Sequence, residues 1–274
     1  MGRVTSRHKI LRLDGAATSR RTDTLAAEEP LEIRVGGRTL TVTMRTPGDD
    51  FDLVAGFLVA EGIVAETRDL AGLRYCAGTD EEGRNTYNVV EAVLAAHVPP
   101  LDPGLQRGVW TSSACGICGT TGIEGLRRMS RHDVAADPLR ITPAALYRLP
   151  GELRAAQKVF DATGGLHAAG LFTPDGRLVC VREDVGRHNA VDKVVGWALR
   201  EGRLPLHGHV LAVSARASFE LTQKTAMAGI PVLAAVSAPS SLAVELAEDA
   251  GITLVGFLRG EGANVYAHPE RIDV

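Results

Sequence analysis

The sequence predicts an α/β protein: a mixed sheet flanked by helices, with a smaller α+β subdomain on its N-terminal side. Two observations carry this. From Gly164 onward, short apolar runs alternate with amphipathic stretches of helical length, separated by tight turns. Composition supports the class: 274 residues, 45% hydrophobic and 23% charged, with 30 Gly against only 6 Phe, 4 Tyr and 2 Trp. That length allows one large domain or two smaller ones. The expected division is a flexible tail over 1–27, a small subdomain over 28–110, a mobile cysteine loop over 111–125 and the main α/β domain over 126–274.

In the first half, Leu31–Val35 and Thr39–Met44 flank Gly36-Gly37, which reads as a two-residue hairpin turn. Thr46-Pro47-Gly48-Asp49-Asp50 opens a helix whose body runs from Phe51 to about Glu61, closed by Gly62. The small polar residues are expected to cap it and the acids to oppose its dipole. Leu73–Cys76 and Thr86–Leu94 read as strands. Pro99-Pro100-Leu101-Asp102-Pro103-Gly104 is a breaker before the cysteines.

Thr142-Pro143 is an N-cap and first-turn pair for a helix to about Phe160, with Pro150-Gly151 a candidate break. Strands are expected at Leu166–Phe172 and Leu178–Val181 around a Thr173–Gly176 turn. A helix over Asn189–Arg200 follows. Then come strand His209–Val213, helix Phe219–Ala228, strand Pro231–Val236, helix Ser241–Ala250 and a last strand at Ile252–Val255.

A net charge of −3 gives no global basic field, so no nucleic-acid partner is expected. No apolar run spans a bilayer, so no membrane association is expected. Met1–Leu13 is basic but lacks the apolar stretch of a signal peptide. Four cysteines are too few for a disulfide framework. A cytoplasmic setting with free thiols follows.

Chemistry concentrates in six places. Cys115-Gly116-Ile117-Cys118 sets two thiols among glycines and small residues. Spacing alone leaves four readings: a zinc half-site completed by Cys76 and Cys180, a redox dithiol, an inert pair, or a persulfide carrier. His167-Ala168-Ala169 sits on an apolar strand. A zinc deaminase would carry His-x-Glu there, and Ala169 removes the general acid/base. His167 reads slightly better as a hydrogen-bonded core residue than as a substrate contact.

Arg182–Asn189 lies between a strand and a helix, where α/β folds place ligands. Arg187 and His188 suit phosphate at a helix start, and Asp184 and Asn189 suit a base or ribose. The plainer reading is a capped helix start with a local salt bridge. Ser214–Ser218 repeats the arrangement, with Arg216 and Ser218 as an anion site and Gln223 and Lys224 either in it or facing solvent. Ser237–Ser241 is a third such junction, and Arg259-Gly260-Glu261-Gly262 a loop suited to closing over a ligand. No Walker lysine motif and no G-x-G-x-x-G after a strand is present.

Several long strings resemble the FdhD family of formate dehydrogenase accessory sulfurtransferases. They are Thr163–Ala169, Val181–Val194, Ser218–Lys224 and Ala238–Ala243, with Glu29-Pro30-Leu31, Thr46–Asp50 and Cys115–Cys118 matching in order. The resemblance runs from about residue 28 to the C-terminus. It implies a cytidine-deaminase-like fold. It further implies transfer of persulfide sulfur from a cysteine desulfurase to the bis-molybdopterin guanine dinucleotide cofactor of the formate dehydrogenase catalytic subunit.

The resemblance maps the persulfide carrier to Cys115, with Cys118 as relay or resolving thiol. It maps a cofactor-binding segment to Phe257, Leu258, Arg259, Gly260, Glu261 and Gly262. Many relatives carry a second Arg in that segment; Glu261-Gly262-Ala263 has none. Asp184, Arg187, His188, Asn189, Arg216 and Ser218 are the expected further cofactor contacts. No structural metal is expected, and a homodimer is. The rival readings are a non-catalytic molybdenum-cofactor chaperone and a redox-active dithiol protein.

Overall fold

The computed structural model describes residues 4–76, 78, 86–101 and 132–274. A two-stranded hairpin comes first, β1 (Thr5–Asp14) and β2 (Ala17–Ala26). A four-stranded sheet follows, built from β3 (Glu29–Val35), β4 (Arg38–Arg45), β5 (Leu70–Tyr75) and β6 (Val89–Leu94) in the order β4-β3-β6-β5, with α1 (Asp50–Ala60) inserted after β4. The C-terminal part contributes α2 (Pro143–Ala156), α3 (Lys158–Thr163), β7 (His167–Phe172), β8 (Leu178–Asp184), α4 (Arg187–Arg200) and β9 (Val210–Val213). It continues with α5 (Phe219–Met227), β10 (Val232–Ala235), α6 (Ser241–Ala250), β11 (Thr253–Arg259) and β12 (Gly262–Ala267). Its six strands run in the order β12-β11-β10-β9-β7-β8.

β9, β10 and β11 are parallel, as the strand–helix alternation requires. β7 pairs antiparallel with both β8 and β9, and β12 antiparallel with β11. The mixed α/β class predicted from sequence is the one observed. Gly36 and Gly37 take φ of +60° and +75°, the left-handed pair that a two-residue hairpin turn needs.

Four expectations are corrected. Residues 5–26 form a hairpin where a flexible tail was expected. Its turn is Gly15-Ala16, with Gly15 at φ +58° between paired Asp14 and Ala17. The polar composition belongs to a ribbon solvated over most of its length, which resembles a solvated tail. Pro150 does not break its helix; α2 runs through it to Ala156. The break falls at Gln157, because the Glu183 carboxylate accepts the N–H groups of Val159 and Phe160 and so fixes a new helix start.

Ile252–Val255 is not the last strand. β11 continues to Arg259, and the glycine-rich segment read as a closing loop is the turn into β12. Nor do the residues before α1 act as its cap. Asp49 makes no side-chain cap bond; Asp50 and Asp52 do lie in the first turn as expected, where Asp50 also pairs with Arg45 (3.0 Å) and Asp52 with Arg182 (2.8 Å).

The two sheets share one apolar core. Leu31, Ile33 and Val90 of the small sheet belong to the same buried cluster as Leu211, Leu233 and Leu254 of the large one. α1 and α4 fill the space between them. A second cluster, with Leu146, Leu149, Phe172, Val232 and Val255, packs α2 on the opposite face of the large sheet. The expected 28–110 subdomain is therefore fused to the α/β layer through a common interior.

Candidate functional site

The register fixes where the chemistry collects. His167 pairs with Asp184, Ala169 with Val213, and Val213 with Ala235. Strand β7 runs against β9, so its first residue lies beyond the carboxyl ends of β9 and β10. The end of β8, the start of α4, and the segments 214–218 and 237–240 thus lie along one edge of the sheet. That edge is where open α/β sheets bind ligands. Ser240 N–H donates to Ala217 O (3.0 Å) and Phe257 N–H to Ser237 O (3.2 Å), tying the last two of these segments to each other and to β11. Ser214 is locked to Ala168 in both directions, its N–H donating at 3.0 Å and its Oγ accepting at 2.9 Å.

Three helices point their N-termini at this edge. Ser218 caps α5, accepting from Leu221 N–H, and Ser240 caps α6, accepting from Ala243 N–H. Gly186 precedes α4, with no side chain to cap it. His188 joins the first two turns: its Nε2 lies 2.7 Å from Glu220 and 3.5 Å from Ser218 Oγ. One helical turn deeper, Lys224 donates to Asp192 (2.7 Å). Lys224 is therefore a buried cross-helix partner and does not face solvent. Gln223 donates to Ala60 O.

Arg187 stands apart from the other cations. Its Nε is buried without a hydrogen-bond partner, and no ion pair or hydrogen bond holds its guanidinium among the described residues. Arg271 also has an unpaired Nε, but its other nitrogens reach Gly251 O, Thr253 Oγ1, Val134 O and Ala135 O. An unmet buried donor costs about 1–3 kcal/mol, so Arg187 is the strongest single mark of a ligand position. His167 is half-buried beside it. Burial, then the neighbouring Arg187 and His188, push its imidazole below the ordinary range, favouring the neutral form.

Two expected contacts have a different task. Asp184 is fully buried; its oxygens accept from Thr46 N–H (3.1 Å), Gly186 N–H (2.8 Å) and Asn189 Nδ2 (3.0 Å), and pair with Lys193 (2.8 Å). Asn189 also donates to Met44 O (2.8 Å). Both side chains are spent on joining the two sheets beneath the site, and neither has a face left for a base or ribose. Leu258 is likewise a core residue at 1% exposure. Arg216 and Arg259 are exposed, Arg259 lying over the Phe257 ring at 5.9 Å. Phe257 takes φ +52°, a conformation an aromatic residue rarely adopts. Gly260 and Glu261 form the β11–β12 turn, and Gly262 starts β12.

Cys115 and Cys118 lie outside the described residues. Cys180 is buried, and burial pushes its thiol up to about 11, which removes it as a nucleophile near neutrality. Among the described residues no group of three or more His, Cys, Asp or Glu is placed to hold a metal ion. Nor is any helix there long and apolar enough to cross a membrane. Sequence reading missed Lys193, Glu220 and Asp192. A buried lysine one turn after Asn189 carries no sequence mark of its own, because its partners Asp184 and Thr46 are set by tertiary structure.

The comparisons with known proteins agree with this architecture. The chain is 61% identical over 273 residues to the sulfur carrier protein FdhD of Streptomyces coelicolor, covering 99% of this chain and 97% of that one. It is 60% identical over 271 residues to the protein of the same name from Nocardia farcinica, covering 99% and 96%. A crystal structure from Desulfotalea psychrophila, provisionally assigned as a formate dehydrogenase accessory protein, superposes with a TM-score of 0.78 at 25% identity, covering 99% of this chain and all of that one. The FdhD/NarQ family model matches residues 26–273, and the chain belongs to the FdhD/NarQ family.

Proposed function

We propose that this protein is a sulfur carrier in formate dehydrogenase maturation, with Cys115 as the persulfide-bearing residue. Its relatives are named sulfur carriers, and Cys115 is one of the two thiols of the Cys-x-x-Cys motif. The Cys115 thiolate attacks the outer sulfur of a cysteine desulfurase persulfide. A sulfur–sulfur bond forms, the old one breaks, and the desulfurase thiolate leaves. The sulfur then passes to a client cofactor held at the sheet edge, which we take to be bis-molybdopterin guanine dinucleotide. The order β8-β7-β9-β10-β11, antiparallel and then parallel, supports a deaminase-like scaffold, and Ala169 leaves it without the deaminase general acid/base.

The observation that carries the cofactor half of this reading is Arg187. A buried guanidinium nitrogen without a partner, at the start of a 14-residue helix and beside the starts of two others, fits a phosphate group. Arg216 and Arg259 are free to add charge at the same edge, and Phe257 offers an aromatic face there. These residues fit a guanine dinucleotide; the bound cofactor itself supplies the metal that accepts sulfur. Arg187→Gln is expected to weaken guanosine diphosphate binding at least about tenfold, the worth of one charge-assisted hydrogen bond. Unchanged affinity in a titration would remove Arg187 from the site.

Sulfur loading is tested by intact-protein mass after incubation with a cysteine desulfurase and cysteine, without reductant. The expected result is a gain of one sulfur atom that dithiothreitol removes and Cys115→Ala abolishes. No gain, with the desulfurase itself loaded, would leave a cofactor chaperone as the better account. A cofactor site that binds without sulfur on Cys115 is that reading's signature.

A further inference from the structure

We propose that the β1–β2 hairpin is a docking arm for an acidic protein face, and that this face belongs to the enzyme receiving the sulfur; the second half rests on the function proposed above. The pairing Thr5↔Ala26 to Asp14↔Ala17 places alternate residues on the two faces of the ribbon. One face carries Arg7, Lys9, Leu11 and Leu13 from β1, with Thr18, Arg20 and Thr22 from β2, and all seven are exposed. Leu11 is 61% and Leu13 70% exposed. Three cations and two leucines side by side match the chemistry of an interface anchor, with charge to steer and apolar surface to bury.

Charges alone would be explained as protection of an exposed edge against aggregation. The two leucines are not, since that device replaces apolar residues. A two-stranded ribbon is also marginal in water by itself, so a covering partner accounts for its retention. Charge selects the partner. The hairpin holds Arg7, Lys9, Arg12, Arg20 and Arg21 against Asp14 and Asp23, whereas the whole chain has 30 basic and 33 acidic side chains. The complement is an acidic surface with an apolar strip.

Position selects the role. A Cβ added to Gly165, two residues before His167, would sit 3.6 Å from Ala26 Cβ at the foot of the ribbon. Val4 at the other foot lies against Gly48, close to Thr46, whose N–H donates to Asp184. The arm is thus rooted next to the sheet edge that carries Arg187 and His188. A protein gripped by it is therefore held by an arm that starts beside the candidate cofactor site. The family model begins at residue 26, so the arm lies outside the segment that defines the family.

The test measures affinity of the full chain for a purified formate dehydrogenase catalytic subunit, at low and moderate salt. Arg7→Glu/Lys9→Glu/Arg20→Glu is expected to lose tenfold or more and to abolish most of the salt dependence. Leu11→Ser/Leu13→Ser is expected to lose a similar factor while keeping the salt dependence. Thermal unfolding of both variants monitors the body of the protein, and desulfurase-dependent sulfur loading of Cys115 reads the proposed function separately. Intact loading with unchanged enzyme affinity overturns the arm and spares the function. Three other results also overturn it: no binding by the unmodified chain, a dimer that the variants turn into monomers with enzyme affinity unchanged, or tight binding of duplex DNA that the charge reversals abolish.

Discussion

Gly196→Ala is expected to cost on the order of 3 kcal/mol of stability, the upper end of core overpacking. In a chain of 274 residues that lowers the unfolding midpoint by roughly 5 °C. α1 and α4 cross so closely that each offers a glycine to the other's backbone. A Cβ on Gly196 would lie 1.8 Å from Asp52 O, and one on Gly56 would lie 1.9 Å from Asp192 O. Both obstacles are main-chain carbonyls within helices, so neither can rotate away. The helices must separate, and with them the two sheets whose shared core they fill. Gly56→Ala should behave alike. Gly151→Ala provides the contrast: it lies in α2 with nothing within 4 Å of its added methyl. There the substitution should stabilise by about 0.5–1 kcal/mol through helix propensity. Thermal denaturation of the three variants checks the claim, and a Gly196→Ala protein melting with the parent refutes it.

That contact explains what sequence reading does and does not reach. The strands and helices after Gly164 are legible because apolar periodicity and turn residues are local properties. The closeness of α1 to α4 is not, since Gly56 and Gly196 look like weak points in two helices until the partner backbone is known. The same limit applies to the site. Arg187, His188 and Ser218 are legible as polar residues gathered at one sheet edge from their place at strand-to-helix junctions. Asp184 and Asn189 share that place in the chain, yet tertiary structure turns them inward to Thr46, Met44 and Lys193. The β1–β2 ribbon shows the reverse error. Its polar residues suggested a tail because a ribbon without a buried face lacks the half-apolar alternation that marks most strands.

Asp184→Ala is the second large effect, about 3–5 kcal/mol, because it leaves a buried charge uncompensated. Lys193 is 1% exposed, and its ammonium meets Asp184 at 2.8 Å with Thr46 O at 2.9 Å. Removing the carboxylate also strands the N–H groups of Thr46 and Gly186 and the Asn189 amide. The loss is more than thermodynamic. Gly186 and Asn189 bracket Arg187, so the same bonds set the direction in which α4 presents its guanidinium. Asp184→Asn separates the two consequences. It retains an acceptor and a similar shape but cancels the charge, so part of the stability should return. Its amide cannot accept from all four donors, and α4 should still loosen at its start. Guanosine diphosphate affinity is then expected to fall in Asp184→Asn even below its unfolding midpoint, although the side chain touches no ligand. Affinity equal to the parent's, in a folded Asp184→Asn protein, would show that Arg187 is positioned by the helix alone.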